Sequence, residues 1–365
     1  MRVLHAPCNV GNQPWTLSRA ERGLGLKSDL ICNYSTWLGY PADRVLGSVG
    51  GRDRKELRQR RLYGYSAPFR YDVLHYYFGR SLLYWDDLPD LNTNPFADLK
   101  IARRLGRKII MTLQGCDARL AEDSNRRNEF TPCHPERCGA YATCLAQLDA
   151  QRRAMIQNIL PLCHRVFFLN PELGHYVPNA EFLPYANVDI DAFTFAPLPA
   201  KAKPTIVHAP SDPKIKGTAM ILEALERLRP KHDFDLVLVE RKTHAEAMEI
   251  YRSADLVIDQ ILAGWYGGLA VEVMAMGKPV ACFIRTEDQA FVPSKMLNDM
   301  PIQNIRPQAL MEDLDALLSR REEWAEIGRR SRAYVERWHS PAKIAAALRN
   351  IYRDLSAPFV IESGA

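Results

Sequence analysis

One short segment of the chain combines a glycine-bearing turn, a helix that follows it and an acidic side chain early in that helix. The turn runs from Gly264 to Gly268, and Glu272 follows it. The first backbone N–H groups of a helix have no partner within the helix, so they and the helix dipole can bind an anion such as a pyrophosphate. A carboxylate about one turn into the helix can accept two hydrogen bonds from a ribose diol. The segment therefore suits a ligand with a phosphate and a ribose, but an ordinary βαβ crossover with an exposed Glu272 would have the same pattern.

Short apolar strands alternate with helical patterns in two successive halves of the chain, which is typical of parallel sheets flanked by helices. The sequence therefore predicts an α/β fold with two Rossmann-like domains. Predicted strands cover residues 2–6, 29–32, 72–77, 108–113 and 165–169 in the first half, and 205–208, 235–239, 256–258 and 280–283 in the second; predicted helices cover residues 15–24, 218–229, 269–276 and 341–355.

Composition limits the classes of protein that this chain can belong to. Its 365 residues, 47% hydrophobic and 25% charged, describe a globular chain large enough for two domains. No run approaches the about 18 to 20 apolar residues of a membrane-spanning helix, and the N-terminus lacks the pattern of a signal peptide, so we expect a cytoplasmic protein. The net charge of +5 is too mild to predict nucleic-acid binding, and it suits phosphorylated substrates or an anionic membrane surface.

The turn and its helix resemble the nucleotide-sugar site of retaining glycosyltransferases with the GT-B fold, in the sucrose-synthase-like and mannosyltransferase-like group (glycosyltransferase family 4-like). The signature of that group is E-x7-E, with an aromatic–glycine pair just after the first glutamate. Tyr266 and Gly267 match the pair, and Glu272 matches the second glutamate, which holds the nucleotide ribose in the family. Gly264 stands in place of the first glutamate, which helps to position the donor sugar. The resemblance therefore implies nucleotide binding more strongly than sugar chemistry.

The same resemblance implies further donor-side residues. Lys216 matches a family lysine that neutralises the donor diphosphate, where a cation stabilises the charge that develops as the glycosidic bond breaks. Ser211 or Lys214 replaces an arginine that usually precedes this lysine, and Glu240 lies where the family holds the nucleobase. Gly268 completes the donor turn. A solvated loop lysine is the alternative for Lys216.

Two residues upstream of the turn, Asp259 and Gln260, are candidates to supply the polar contact that Gly264 lacks. The family needs no divalent metal, so the resemblance implies no cofactor for catalysis beyond the nucleotide-diphosphate sugar itself.

In the first half, the resemblance reaches four residues. Gly11 and Asn12 lie at the place of the family's glycine-rich loop, which approaches the donor phosphate. Gln114 and Asp117 match a T-x-H-G-x-D motif whose histidine faces the sugar, and Gln114 replaces that histidine. Glutamine can hydrogen-bond sugar hydroxyls but cannot carry a proton. Asp117 either bonds the sugar or acceptor, or caps the following turn; His75, at a predicted strand end, is either an acceptor-side residue or a buried core histidine.

The resemblance also fixes the expected domain organisation. We predict a first domain over residues 1–186, with a cysteine-containing insertion at about 115–150, and a second, nucleotide-sugar-binding domain over 187–340. A proline-bearing segment over 184–204 is predicted to connect them. Residues 341–365 are expected to form a C-terminal helix and tail that cross back to the first domain.

Four of the eight cysteines fall close together in the chain, at Cys116, Cys133, Cys138 and Cys144. Their spacings are looser than C-x2-C, and a cytosolic protein rarely keeps structural disulfides. The cluster therefore indicates either a structural zinc site, with histidines as alternative ligands, or unrelated thiols. Such a site would clamp an insertion and take no part in catalysis.

The run from Gly51 to Arg61 carries six cationic residues against two acids, and Leu62 and Tyr65 follow it. In the family this part of the first domain often handles the acceptor, and a basic and aromatic surface can lie on anionic lipids. A solvated helix face is the plainer interpretation, and nucleic-acid binding is the weakest.

Together these residues predict an enzyme that transfers a sugar from a nucleotide-diphosphate sugar to a hydroxyl group of a glycan, lipid-linked or small-molecule acceptor, with retention of configuration. Gln114, Asp117 and Lys216 are the predicted catalytic residues. Two alternatives remain: an epimerase or phosphorylase acting on a nucleotide sugar, and a nucleotide-sugar-binding protein without transferase activity.

Overall fold

The computed structural model describes residues 1–36, 39–196, 203–240 and 242–361, without the side chains of residues 244 and 245. Residues 197–202 of the predicted connection therefore lie outside the described part. The strands are β1 (Arg2–Ala6), β2 (Lys27–Cys32), β3 (Arg44–Val45), β4 (Val73–Tyr77), β5 (Lys108–Leu113), β6 (Arg165–Phe168), β7 (Glu181–Phe182), β8 (Thr205–His208), β9 (Asp235–Leu238), β10 (Leu256–Ile258), β11 (Val280–Cys282) and β12 (Gln303–Asn304).

The helices alternate with these strands. They are α1 (Gln13–Gly23), α2 (Arg54–Arg70), α3 (Ala97–Arg104), α4 (Ala121–Arg127), α5 (Tyr141–Thr143), α6 (Asp149–Asn158), α7 (Pro213–Lys216), α8 (Thr218–Leu228), α9 (His244–Ser253), α10 (Gly268–Ala275), α11 (Ser294–Asp299), α12 (Leu310–Ser319), α13 (Trp324–Trp338) and α14 (Pro341–Arg353).

The first compact unit contains Met1–Leu120, Ala150–Val188 and the C-terminal segment that begins at His339. Seven parallel strands form its sheet, in the order β3-β2-β1-β4-β5-β6-β7. All five residues of β4 are buried, as expected for a parallel strand covered by helices on both faces. The C-terminal helix α14 returns to this unit, where Ile344 and Leu348 share an apolar cluster with Leu17 of α1.

The second unit contains Ala121–Asp149 and Asp189–Trp338. Its five parallel strands have the order β12-β11-β10-β8-β9. Strands β10 and β11 are buried along their whole length. The two units thus give two parallel sheets flanked by helices, and the predicted fold class is confirmed.

The segment 121–149 lies elsewhere than the sequence predicted. Instead of forming an insertion in the first domain, it belongs to the second unit. Phe130 packs against the apolar core of that unit, and its carbonyl oxygen accepts a hydrogen bond of 2.7 Å from Nη2 of Arg285. Burial of this aromatic side chain and a bond from a buried guanidinium therefore hold the segment in the second unit.

Each sheet has one point at which the strand order reverses. In the first unit this point lies between β1 and β4, and in the second it lies between β8 and β10. Ligands of open parallel sheets bind at the carboxyl edge beside this point, because the helices on either side leave in opposite directions. Most of the donor-side candidates follow β8 or β10, so the second sheet positions them where such a fold binds ligands.

Candidate functional site

The turn after β10 is built by the side chain of Gln260, which is fully buried. Its Oε1 accepts hydrogen bonds from the backbone N–H groups of Leu262 (2.8 Å) and Ala263 (2.6 Å), and its Nε2 donates to the carbonyl oxygen of Trp265 (2.6 Å). Gln260 was a candidate for a sugar contact. Because both ends of its amide already bond the turn, its role in the structure is to shape that turn.

Asp259 joins the two donor-side loops. Its carboxylate is fully buried: Oδ1 lies 2.7 Å from Nζ of Lys216, and Oδ2 accepts a 2.9 Å hydrogen bond from the backbone N–H of Gly267. A buried carboxylate needs such partners, since leaving it unpaired would cost several kcal/mol. Asp259 thereby holds the ammonium group of Lys216 beside Gly267, the residue just before α10.

The start of α10 lies beside the ammonium group of Lys216. Gly267, the residue before the helix, has an extended backbone, and a Cβ atom there would meet Lys216 Nζ at 3.7 Å and Asp259 Oδ2 at 3.8 Å. An ammonium group with three N–H donors that gives one to Asp259 keeps two for a ligand. Lys216 retains 18% exposure of its side chain, so a ligand can reach it. The half-buried Glu272 lies on the same helix, one turn further along.

Lys216 is held from its own side as well. Asp212 caps the short helix α7, since its carboxylate accepts the N–H groups of Lys214 (3.0 Å) and Ile215 (3.2 Å). Gly217 has a φ of 78°, and a Cβ there would lie 2.4 Å from Cγ1 of Ile261, so the two loops approach too closely for a side chain at residue 217. This close approach brings the end of β8 and the end of β10 together.

The remaining donor-side candidates differ in exposure. Ser211, Lys214 and Glu240 are exposed, and the first two flank the cap of α7. Tyr266 is fully buried, and its hydroxyl lies 3.0 Å from that of Tyr334. The side chain of Tyr266 therefore belongs to the core of the second unit.

Gly264 occupies the position of the missing first glutamate, and the structure gives the physical reason for the replacement. Its φ is 74°, a left-handed conformation that favours glycine. A Cβ atom there would lie 2.5 Å from Nη1 of Arg285. Arg285 is buried, with its guanidinium bonded to Asp288 Oδ2 (2.8 Å) and to the carbonyl of Leu262 (3.2 Å). An arginine thus fills the space that a glutamate side chain would enter.

The first unit places its candidates at the carboxyl edge of its own sheet. Gly11 and Asn12 both have left-handed backbones, with φ of 63° and 62°, and Asn12 precedes α1. Gln114, after β5, is half-buried and its Nε2 lies 3.4 Å from the carbonyl oxygen of Val10. The loops after β1 and β5 are therefore brought together at this edge.

Asp117 acts as a cap. Its carboxylate accepts hydrogen bonds from the backbone N–H groups of Gln114 (3.0 Å) and Gly115 (2.6 Å). Burial raises its pKa, and these backbone donors oppose that effect. Of the two roles that the sequence left open, the contacts favour the cap of the turn.

Comparison with solved structures identifies the architecture. Sucrose-phosphate synthase from Thermosynechococcus elongatus is 14% identical and superposes with a TM-score of 0.60 over 97% of this chain and 99% of that one. A glycosyltransferase from Rickettsia africae is 12% identical, with a TM-score of 0.57 over 98% of each chain. WaaG, a glycosyltransferase of lipopolysaccharide biosynthesis, gives 12%, a TM-score of 0.54, and coverage of 94% and 98%.

The chain has the GT-B fold. At 12 to 14% identity these likenesses establish the fold alone. A protein described as a UDP-N-acetylglucosamine 2-epimerase, from Listeria monocytogenes, is also similar, with 12% identity and a TM-score of 0.53 over 98% of each chain. Neither a protein-family model nor a curated protein sequence matches the chain.

His75 does not join the site. It is fully buried in the first unit, where Nδ1 lies 2.9 Å from the hydroxyl of Tyr352 and Nε2 lies 2.7 Å from that of Thr112. Its ring stacks on Tyr77 at 4.5 Å. Burial, and secondarily His5, lowers its pKa well below the ordinary value. The predicted acceptor-side role is therefore replaced by a core role that ties β4 to α14.

The predicted zinc site is not supported. Within the described ranges, no group of three His, Cys, Asp or Glu side chains is placed to hold a metal ion. Cys133 and Cys144 are buried in a small apolar cluster with Ala121, whereas Cys116 is exposed in the first unit with Arg119 Nη1 3.7 Å from its sulfur. Cys138 is half-buried. Two of the thiols thus serve as small apolar side chains.

Two features of the site escaped the sequence analysis. Arg285 was missed because nothing local links it to Gly264; the two meet through the backbone bond from Arg285 N–H to the Gly264 carbonyl (2.9 Å). The ion pair between Lys216 and Asp259 could have been found, since each follows a buried strand and these two strands are neighbours.

Among the described residues, no helix has both the length and the apolar character that a membrane crossing requires.

Proposed function

We propose that the protein is a retaining hexosyltransferase, similar to glycosyltransferase family 4, which moves a sugar from a nucleotide-diphosphate sugar to a hydroxyl group of a glycan, lipid-linked or small-molecule acceptor. One observation carries the proposal. An ammonium group, Lys216 Nζ, is fixed by a buried carboxylate at the N-terminal end of α10, at the strand-order reversal of the second sheet.

The diphosphate of the donor would bind this ammonium group and the first N–H groups of α10. As the bond between the sugar and the diphosphate breaks, negative charge accumulates on the leaving phosphate, and Lys216 stabilises it. Glu272 would accept hydrogen bonds from the ribose hydroxyls. In this proposal Asp259 is a positioning residue, because it sets Lys216 without itself contacting the ligand.

The first unit contributes polar groups at its own carboxyl edge. The resemblance assigns Gln114 to a hydroxyl group of a sugar, and Gly11 and Asn12 to a phosphate; in the structure all three lie at the carboxyl edge of the first sheet. The amide of Gln114 is neither an acid nor a base near neutral pH, so the proton of the acceptor hydroxyl group would pass to the leaving phosphate as the new glycosidic bond forms. No divalent metal is required in this scheme, since Lys216 and the helix terminus supply the positive charge.

Two observations favour a second candidate. The space of the first signature glutamate is filled by Arg285, and an epimerase is among the similar structures. A nucleotide-sugar epimerase, or a binding protein without transferase activity, would keep the nucleotide contacts and need no acceptor.

The test is incubation of the intact protein with each common nucleotide sugar, with and without a panel of hydroxyl acceptors and with and without chelator. Glycosyltransfer requires nucleotide release together with a new glycoside whose anomeric configuration, read by NMR, equals that of the donor. Conversion of the donor sugar without acceptor would instead identify an epimerase. If the nucleotide sugar binds but no product forms under any condition, the protein is a nucleotide-sugar-binding protein without transferase activity. Inversion of configuration would overturn the retaining mechanism.

A further inference from the structure

Helix α2 of the first unit exposes a row of large apolar side chains. Leu62 is 59% exposed, Tyr65 42% and Phe69 63%. Residues three, four and seven positions apart lie on one face of a helix, so these three side chains form a single stripe. The opposite face carries the buried Tyr63 and Ala67, which already anchor the helix. The core of the first unit therefore does not bury the side chains of the stripe.

Cationic side chains border the stripe. Exposed lysine and arginine residues of α2 are Arg54, Lys55, Arg58, Arg61 and Arg70. Arg54 and Arg58 continue the stripe toward the N-terminus of the helix, since Arg54, Arg58 and Leu62 follow one another at intervals of four residues. Buried Arg60, by contrast, points away from this surface to Asp87, with which it pairs at 3.0 Å.

Helix α3 extends the same composition. Nε of Arg107 donates a 3.1 Å hydrogen bond to the carbonyl oxygen of Pro68, which joins the last turn of α2 to the residues just after α3. There Leu105 is 40% exposed. Lys100, Arg103 and Arg104 are exposed on α3 itself. We call the exposed apolar and cationic residues of these two helices the α2–α3 surface.

The charge of the chain is concentrated in these two helices. Their sequences hold nine lysine and arginine residues and two acids, a net charge of +7, whereas the whole chain carries +5. The rest of the chain is therefore slightly negative. One of the two acids, Asp98, is buried.

We propose that the α2–α3 surface docks on an anionic lipid bilayer. The leucine, tyrosine and phenylalanine side chains would enter the boundary between headgroups and acyl chains, while the long cationic side chains reach the lipid phosphates. A polyanion such as a nucleic acid would also attract the cations, but it offers nothing to Leu62 and Leu105. A bilayer matches both components. All these residues lie in the first unit, and none of them is a donor-side residue of the second unit. The inference therefore does not depend on the proposed function.

The test measures binding of the intact protein to vesicles of phosphatidylcholine alone and to vesicles that also contain phosphatidylglycerol. The wild type is expected to bind the anionic vesicles at least about tenfold more tightly, and added salt should weaken this binding. The combined variant Leu62→Ser, Tyr65→Ser and Phe69→Ser should lose about tenfold in affinity for anionic vesicles while binding heparin as the wild type does. The combined variant Arg54→Gln, Arg58→Gln and Arg104→Gln should lose affinity for both.

Two control variants change other surfaces: one removes three cations, as the cationic variant does, and the other removes an exposed apolar side chain. Arg227→Gln, Lys295→Gln and Arg330→Gln remove three exposed cations of the second unit, and Met311→Ser removes an exposed apolar side chain there. Both controls should bind anionic vesicles as the wild type does, with unchanged circular dichroism in every variant. Equal binding of the wild type to both kinds of vesicle would overturn the proposal. If the variant without the three apolar side chains binds anionic vesicles as tightly as the wild type does, the surface binds polyanions in general and not a bilayer.

Discussion

The carboxylate of Asp259 contacts two groups of the donor-side loops, the ammonium group of Lys216 and the backbone N–H of Gly267. Asp259 neutralises the ammonium group and, through its second oxygen, orients the N–H of Gly267. Because Asp259 is fully buried and Lys216 is mostly so, each residue depends on the other for compensation of its charge.

A double-mutant cycle on this pair tests that dependence. Lys216→Met and Asp259→Asn should each reduce the free energy of unfolding by about 1–3 kcal/mol, since each leaves a poorly compensated group. The double variant should lose less than the sum, with a coupling of about 1–2 kcal/mol in urea denaturation. The exposed pair Arg227 and Glu223 is the control, where the coupling should be at most about 0.5 kcal/mol. Strict additivity at Lys216 and Asp259 would contradict the described contact.

Gly264 occupies the position of the first signature glutamate of the family that the donor turn resembles, and the structure leaves no room for a glutamate there. Gly264→Glu must adopt a φ of 74° and displace the buried guanidinium of Arg285. We expect a loss of about 3 kcal/mol in the free energy of unfolding and no gain in sugar transfer. Gly139→Glu is the control, since Gly139 has no neighbour within 4 Å and should tolerate the change. A stable Gly264→Glu variant with increased transfer would show that the arginine does not define this position.

At the scale of elements, the C-terminal helix α14 is anchored by two buried histidines. His339, just before it, bonds the Tyr185 carbonyl oxygen through Nδ1 at 2.8 Å, and Tyr352 within it bonds His75. Burial lowers the pKa of His339 from 6.5 to about 4. An unfolded chain, whose histidine keeps its ordinary pKa, therefore binds more protons between these two values than the folded chain does.

Stability should consequently fall as the pH is lowered from about 6.5 toward 4, by up to about 3 kcal/mol from His339 alone. His339→Asn keeps an N–H donor for the Tyr185 carbonyl and cannot be protonated, so its free energy of unfolding should depend less on pH across this range. His134→Asn, at a partly exposed histidine, is the control for the substitution itself. Identical pH profiles for His339→Asn and wild type, in urea denaturation at a series of pH values, would contradict the assignment.

The elements around the donor turn were predictable from sequence within one residue. The apolar run of β10, the glycines before α10 and the Gly-Lys-Pro sequence after it are strong local signals. The strands β3, β7 and β12 were missed because each has only two residues and no apolar run of its own. The place of segment 121–149 was also beyond local patterns, since Phe130 is held there by a contact with Arg285, far along the chain.

Within the candidate site, residue types were easier to predict than their partners. The sequence identified Lys216, Asp259 and Gln260 as candidates. It did not show that the side chains of Asp259 and Gln260 already bond other groups of the protein. Whether a histidine such as His75 faces a ligand or a core depends on the side chains packed around it. Local sequence does not contain that information.

At the scale of the whole molecule, two features are divided between the two units. The second contains the fixed ammonium group and the helix terminus suited to a nucleoside diphosphate, and the first contains the α2–α3 surface. Docking of one unit on a bilayer would suit an enzyme that acts on a lipid-linked acceptor, which is one of the proposed acceptor classes.

Binding of a nucleoside diphosphate by the second unit through Lys216 and Glu272 can be measured in a thermal-unfolding screen of the intact protein with UDP, GDP, ADP, TDP and CDP. A ligand that binds only the folded state raises the midpoint by mass action. We predict that at least one of these nucleotides raises the midpoint of the wild type and of Glu223→Ala, an exposed control on α8, but not that of Glu272→Ala. No shift with any nucleotide would mean that the second unit does not bind a nucleoside diphosphate, and an equal shift in Glu272→Ala would mean that Glu272 takes no part in binding.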